Sequence, residues 1–154
     1  MKKTPLGGLA ATGVFVALFA AIFTWRFYHL QGPVPPVVPA VFVGVAVICG
    51  YLGVKVKSRR EEGRIGLDRS QLNPVTAAQF LVVGKAAAWT GAIVGGYYAG
   101  RAAYQLAQAS WLASAADELP GVAAAAATAI AMAGAGIYLE RACEVPPPTE
   151  GETR

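Results

Sequence analysis

The chain has 154 residues, of which 55% are hydrophobic and 14% are charged, and its formal net charge at pH 7 is +4. Average soluble domains carry about 25% charged residues, so this chain has few polar side chains for a water-exposed surface. The composition excludes an ordinary soluble domain and indicates a single integral membrane domain.

The first long apolar run begins at Leu6 and ends near Phe27. Apolar runs of about 18 or more residues with few charges are typical of transmembrane helices. Lys2 and Lys3 precede the run, as in a signal peptide, but the run is long for a signal peptide and no small-x-small cleavage site closes it. We therefore predict that residues 6–27 are a retained transmembrane helix.

A proline-rich stretch, LQGPVPPVVP, follows at residues 30–39. Proline fixes φ and removes backbone donors, so the stretch predicts a short, stiff, extended connector, with a docking strip for a proline-binding partner as the alternative. The next apolar run predicts a second span over residues 37–56.

A basic loop is predicted at residues 55–73. A nucleic-acid surface would need aromatic side chains for stacking and a larger folded area, so we expect no nucleic-acid partner. Basic residues instead mark the cytoplasmic side of membrane proteins and contact anionic lipid headgroups. The candidates for these two roles are Lys55, Lys57, Arg59, Arg60, Arg64 and Arg69.

Asn73 and Pro74 predict the start of a third helix, because asparagine caps free N–H groups and proline loses none in a first turn. The helix is predicted to end near Gln108, with its membrane span at residues 77–106. The stretch SWLASAADELPG at residues 110–121 is predicted as a connector. A fourth span follows at residues 121–139, and residues 144–154 are predicted to be a disordered polar tail.

The distribution of charge predicts the orientation in the membrane. Most lysines and arginines fall on one side of the four predicted spans, and such an excess marks the cytoplasm. We expect an all-α integral membrane protein, with four transmembrane helices in an antiparallel bundle and both termini cytoplasmic. The residues on the cytoplasmic side are Lys2, Lys3, the six loop residues and Arg141; those on the other side are Arg26, His29, Arg101, Asp117 and Glu118.

Lys85 stands inside the apolar part of the third helix, where a lysine costs roughly 2.5–3.5 kcal/mol at the bilayer centre. Arg101 follows about 24 Å further along the helix. One interpretation is that the two cations extend to opposite membrane surfaces and set the depth of the helix. The other is that Lys85 faces the protein interior and binds a helix carbonyl, a lipid phosphate or an acidic residue, for which Glu140 has the best depth. Trp89, one turn away, could lie against Lys85.

The third helix also carries a face of small residues, which lets helix backbones approach closely in lipid. This face predicts packing either within the chain or against a partner protein or a second copy. An alanine face on the fourth span offers a matching surface within the chain. The members of the first face are Gly84, Ala88, Gly91 and Gly95, and those of the second are Ala125, Ala129 and Ala133.

No catalytic constellation accompanies these features. The spans contain no paired carboxylates, no histidine cluster and no Ser/His arrangement, and the two cysteines have no metal-site spacing. We therefore expect no enzyme activity, cofactor or metal. The sequence favours an accessory or scaffold subunit that binds a membrane protein or forms a homo-oligomer. The alternative is a component of a small-solute transporter or channel that contacts anions through Lys85. The candidate contact residues are Lys85, Trp89, Gly91, Gly95 and Arg101.

The stretch LNPVTAAQFLVVGKAAAWTGAIVGGYYAG at residues 72–100 covers most of the third helix. This stretch resembles the most recognisable segment of an actinobacterial family of small four-span membrane proteins, a domain-of-unknown-function family. The resemblance extends across nearly the whole chain and implies four spans with a basic central loop. It also implies that the gene for this protein lies near folate-biosynthesis genes, as the genes of family members often do. It assigns Lys85 no role. Asn73 replaces an aspartate of the family pattern and Gln79 replaces an arginine, which argues against a paired Arg/Lys anion site. The matching positions are Leu72, Pro74, Ala77, Ala78, Lys85, Ala86, Gly91, Gly95, Tyr98 and Gly100.

Overall fold

The computed structural model describes residues 4–61 and 74–143, and in these residues the protein is entirely helical. Four of the helices are long and apolar enough to cross a membrane. The predicted all-α class with four membrane-spanning helices is thereby confirmed for the described residues. The elements in chain order are α1 (Leu6–Phe27), a 3-10 turn (Tyr28–Leu30), α2 (Val37–Glu61), α3 (Pro74–Gln108) and α4 (Ala113–Cys143).

The helix ends agree with the sequence in some places and differ in others. The third helix begins at Pro74, at the position that the Asn-Pro pair indicated; the predicted cap itself, Asn73, lies outside the described residues. In contrast, α2 continues to Glu61, so residues 55–61 of the predicted loop are helical. The ammonium of Lys55 lies 5.8 Å from the ring centre of Tyr51, one turn earlier on the same helix surface. The predicted tail at 144–154 also lies outside the described residues.

The predicted connector at residues 110–121 is wrong for most of its length, because α4 begins at Ala113 and includes Pro120 in its interior. Proline cannot donate the helical hydrogen bond and usually ends or kinks a helix. Here the helix is held on both sides of the proline, since Ala115 and Val122 are buried. The stretch before Pro120 is also rich in alanine, the strongest helix former.

The centre of the molecule is the antiparallel pair of α3 and α4. At one end of this pair Gly84 lies against the backbone of Gly136 and Glu140, and near the other end Gly95 lies against Ile130. Small residues on both helices allow this approach. The pair therefore has a register in which the start of α3 faces the end of α4.

The other two helices flank this pair. On one side α1 runs parallel to α3, with Gly13 against Gly96 and Ala17 against Gly100. On the other side α2 runs parallel to α4, because Gly53 lies against Tyr138 near the helix ends, and α2 touches α3 only lightly. The lateral order is thus α1, α3, α4, α2. Within residues 4–61 and 74–143, the consecutive helices α1 and α2 do not pack on each other.

The outermost helices expose large apolar side chains, as expected for surfaces that face lipid. On α1 the exposed residues include Phe15, Phe19 and Ile22, and on α2 they include Val47 and Ile48. The central helix α4 is the most buried of the four. Polar side chains buried against α4 are consequently the best candidates for a structural or functional site.

Candidate functional site

Thr4, Lys85 and Glu140 form a polar cluster, which we call the inner cluster, that joins the segment before α1 to α3 and α4. The carboxylate of Glu140, on α4, accepts two hydrogen bonds from Thr4 at its Oε1 atom, one from the backbone N–H and one from the hydroxyl, each 2.8 Å long. The ammonium of Lys85, on α3, lies 3.8 Å from the same oxygen. Glu140 therefore ties the segment before α1 to the pair of central helices.

This carboxylate is deeply buried, with Glu140 only 3% exposed, whereas the Lys85 side chain is 35% exposed. The second oxygen, Oε2, is buried and accepts no hydrogen bond from a described residue. A charge taken out of water is stabilised only by partners of opposite charge and by hydrogen bonds. Thr4 and Lys85 supply such partners here, and Lys85 lies beside the acidic residue that its depth favoured.

A second polar cluster, which we call the outer cluster, lies at the opposite end of the α3·α4 interface and consists of Gly32, Arg101, Gln105 and Glu118. The Arg101 Nη2 atom donates to the carbonyl oxygen of Gly32 at 2.6 Å and to the Glu118 carboxylate at 3.1 Å. Gln105, one turn along α3, donates to the same carboxylate at 2.9 Å. The cluster therefore fixes the α1–α2 connector against the start of α4.

Arg101 is paired inside the protein, and its position relative to a membrane surface stays a prediction. Arg101 is 5% exposed, and its guanidinium is turned towards the carboxylate of Glu118 inside the protein. A planar guanidinium can donate several bonds at once, so this position suits an arginine that serves both a carbonyl and a carboxylate. The sequence did not indicate this pairing, because the acidic pair at 117–118 was assigned to a connector, whereas it lies on the first turns of α4.

Between the two clusters, the small-residue face of α3 packs on α4. A Cβ atom built on Gly91 would lie 2.6 Å from the backbone nitrogen of Ala133, and one on Gly95 would lie 3.1 Å from Ile130. Gly91 and Gly95 are thus buried within the chain, which is one of the two alternatives that the sequence left open. Two further glycines of α3, Gly96 and Gly100, pack on α1.

The other residues that the sequence singled out are Trp89 and the basic residues predicted to contact lipid headgroups. Trp89 is half-buried, one helical turn from Lys85, and its contact with Lys85 stays a prediction. Lys55 and Lys57 are exposed on the last turns of α2. Arg59 and Arg60 lie on the last turn of α2, and Arg64 and Arg69 lie outside the described residues.

Sequence reasoning missed three members of these clusters. Thr4, Gln105 and Glu118 are polar residues at the edges of apolar runs, where polar side chains are ordinary. Their spacing from Lys85 and Arg101 becomes informative only when α3 and α4 are aligned antiparallel. The pair of Lys85 and Glu140 then lies at one end of the α3·α4 interface and the pair of Arg101 and Glu118 at the other. The two ends are about 24 Å apart along α3.

The described residues contain no group of three or more histidine, cysteine or acidic side chains that could hold a metal ion. The cysteines, Cys49 and Cys143, are free thiols buried in one apolar cluster with Leu139 and Val56. The two polar clusters contain ion pairs and hydrogen bonds that join different helices.

Comparison with known protein families gives a match over most of the chain. Searches among curated proteins and among solved structures found no match for this chain. A family model described as a protein of unknown function, DUF3180, matches residues 9–147, which is most of the chain. Four apolar helices, together with this match, describe a multi-pass membrane protein whose role is not defined by its relatives. The chain belongs to the DUF3180 family.

Proposed function

We propose that this protein is a non-catalytic accessory subunit that binds another membrane protein through the exposed surface of α4. The proposal rests on the small size of the side chains on this surface. Between residues 121 and 137 of α4, every exposed residue except Ile130 is alanine or glycine. We call four of these residues the α4 outer face: Ala123, Ala127, Ala131 and Gly134.

The α4 outer face differs from the lipid-facing surface of α1. There the exposed side chains are large, with Phe15 71%, Phe19 63% and Ile22 65% exposed. A Cβ atom built on Gly134 meets nothing within 4 Å. In lipid, helix association depends on close van der Waals packing, so small residues favour contact with a partner helix. The same kind of surface already joins α3 to α4 within this chain, which supports the proposal by internal analogy.

The experiment is a mild-detergent affinity purification from native membranes, with size determination and mass spectrometry. The test variants are Ala127→Leu and Gly134→Leu, which enlarge the α4 outer face without filling the core. The matched control is Ala11→Leu, a substitution at an exposed alanine of α1. We expect a partner at fixed stoichiometry with the wild type and the control, and its loss with both test variants. Equal recovery from all four proteins would refute the proposal.

The proposal includes an orientation, with both termini cytoplasmic in a bacterial plasma membrane. It is supported by the excess of lysine and arginine at the end of α2 and in the sequence that follows it. Ser58 is exposed at that end of α2 and is a suitable site for a reporter cysteine. In a background without Cys49 and Cys143, we expect an impermeant maleimide to label Ser58→Cys only in inverted vesicles. Labelling in intact cells would reverse the orientation.

An anion pathway through Lys85 is a second candidate function, but the geometry favours it less. The Lys85 ammonium lies near the Glu140 carboxylate, which offsets its charge and would repel an incoming anion. Reconstituted vesicles offer a direct comparison: an anion pathway predicts that flux falls in Lys85→Met and is unaffected by Ala11→Leu.

A further inference from the structure

Two buried polar atoms of the outer cluster have no hydrogen-bond partner among the described residues: the Nε atom of Arg101 and the Oε1 atom of Gln105. Arg101 is 5% exposed and Gln105 is fully buried. The two residues stand four positions apart on α3, which places their Cβ atoms about 5–6 Å from each other on one side of the helix. One atom is a donor and the other is an acceptor.

The chemistry of this pair restricts what can satisfy it. Arg101 Nε–H needs an acceptor, and Gln105 Oε1 needs a donor. A metal cation cannot accept from the guanidinium, a simple anion cannot donate to the amide oxygen, and an apolar group can do neither. A single oxygen that both accepts and donates satisfies the two atoms together, and water is the smallest molecule with this property.

We propose that Arg101 and Gln105 hold one buried water molecule, which accepts from Arg101 Nε–H and donates to Gln105 Oε1. Buried waters typically make about three hydrogen bonds to groups that would otherwise lack partners. The carboxylate of Glu118 and the carbonyl of Gly32 are acceptors in the same cluster and can take the second proton of the water.

The water gives the outer cluster a specific structural role. The plane of the guanidinium is held at Nη2 by the bonds to Gly32 and Glu118. A bond at Nε adds a second point of attachment on the same rigid plane, which fixes the orientation of Arg101. The α1–α2 connector is then bound to a guanidinium that cannot rotate, and the water becomes part of the attachment of the connector to α3.

The test is nuclear magnetic resonance of the full chain in lipid nanodiscs, with arginine labelled in its side-chain nitrogens. We expect the Arg101 Nε–H signal to exchange slowly and to show a cross-relaxation peak to a rotationally immobilised water. Gln105→Met removes the acceptor and should abolish the peak, while Gln108→Met, three residues along α3, should leave it unchanged. The wild-type measurement stands alone if Gln105→Met fails to fold.

Two results would overturn the inference. One is a wild-type Arg101 Nε–H signal without a water peak, combined with a direct scalar coupling across a hydrogen bond to a protein acceptor. The other is a water peak that persists unchanged in folded Gln105→Met, since the water would then not be bound by Gln105.

Discussion

Replacement of Gly91 by alanine tests the close packing of α3 on α4. A Cβ atom at this position would lie 2.6 Å from the backbone nitrogen and 2.9 Å from the Cα of Ala133, and 2.7 Å from the carbonyl oxygen of Ala129. Real Cβ atoms do not approach backbone atoms this closely, so the helices must move apart. Overpacking of this kind typically costs about 1–3 kcal/mol.

The matched control is Gly44→Ala on α2, where a Cβ atom meets nothing within 4 Å. Alanine is favoured over glycine in a helix by about 0.8–1.0 kcal/mol, and this gain applies to both variants. We therefore expect Gly91→Ala to be less stable than Gly44→Ala by about 1–3 kcal/mol in the free energy of unfolding. Reversible unfolding in mixed micelles, followed by circular dichroism, measures the difference. Equal stabilities would refute the α3·α4 register described above.

Two further predictions concern the inner cluster and the buried thiols. Glu140→Leu removes the acceptor of two Thr4 bonds and the carboxylate beside Lys85, and should destabilise the protein by about 1–3 kcal/mol. Lys85→Met should lower the free energy of unfolding less in the Glu140→Leu protein than in the wild type. If the losses of the two single variants add to that of the double variant within about 0.5 kcal/mol, Lys85 and Glu140 are not paired. Cys49 and Cys143 are 1% and 9% exposed, so a membrane-permeant maleimide should label them slowly before unfolding and rapidly afterwards. Fast labelling of the folded protein would contradict the packing of α2 on α4.

The number and approximate position of the helices could be predicted because apolar length is a direct requirement of the bilayer. The start of α3 followed from the Asn-Pro pair, and the depth of Glu140 singled it out as a partner for Lys85. These features depend on local sequence or on simple distances along a helix, so they required no knowledge of which helices touch.

The lateral order of the helices and the role of Arg101 could not be predicted in the same way. Short connectors indicate neighbouring helices, yet α1 packs on α3 because Gly96 and Gly100 give it a flat surface. The position of Glu118 depended on whether α4 could include Pro120. α4 includes Pro120 because residues on both sides of the proline are buried, and burial is a property of the assembled fold.

We expect the α4 outer face to contact another protein and the surface of α1 to contact lipid. A photo-crosslinking amino acid placed at Ala127, with Phe15 as the matched lipid-facing position, distinguishes these two environments in native membranes. We expect a discrete protein adduct from Ala127, identified by mass spectrometry, and only lipid adducts from Phe15. Lipid adducts alone from both positions would contradict it.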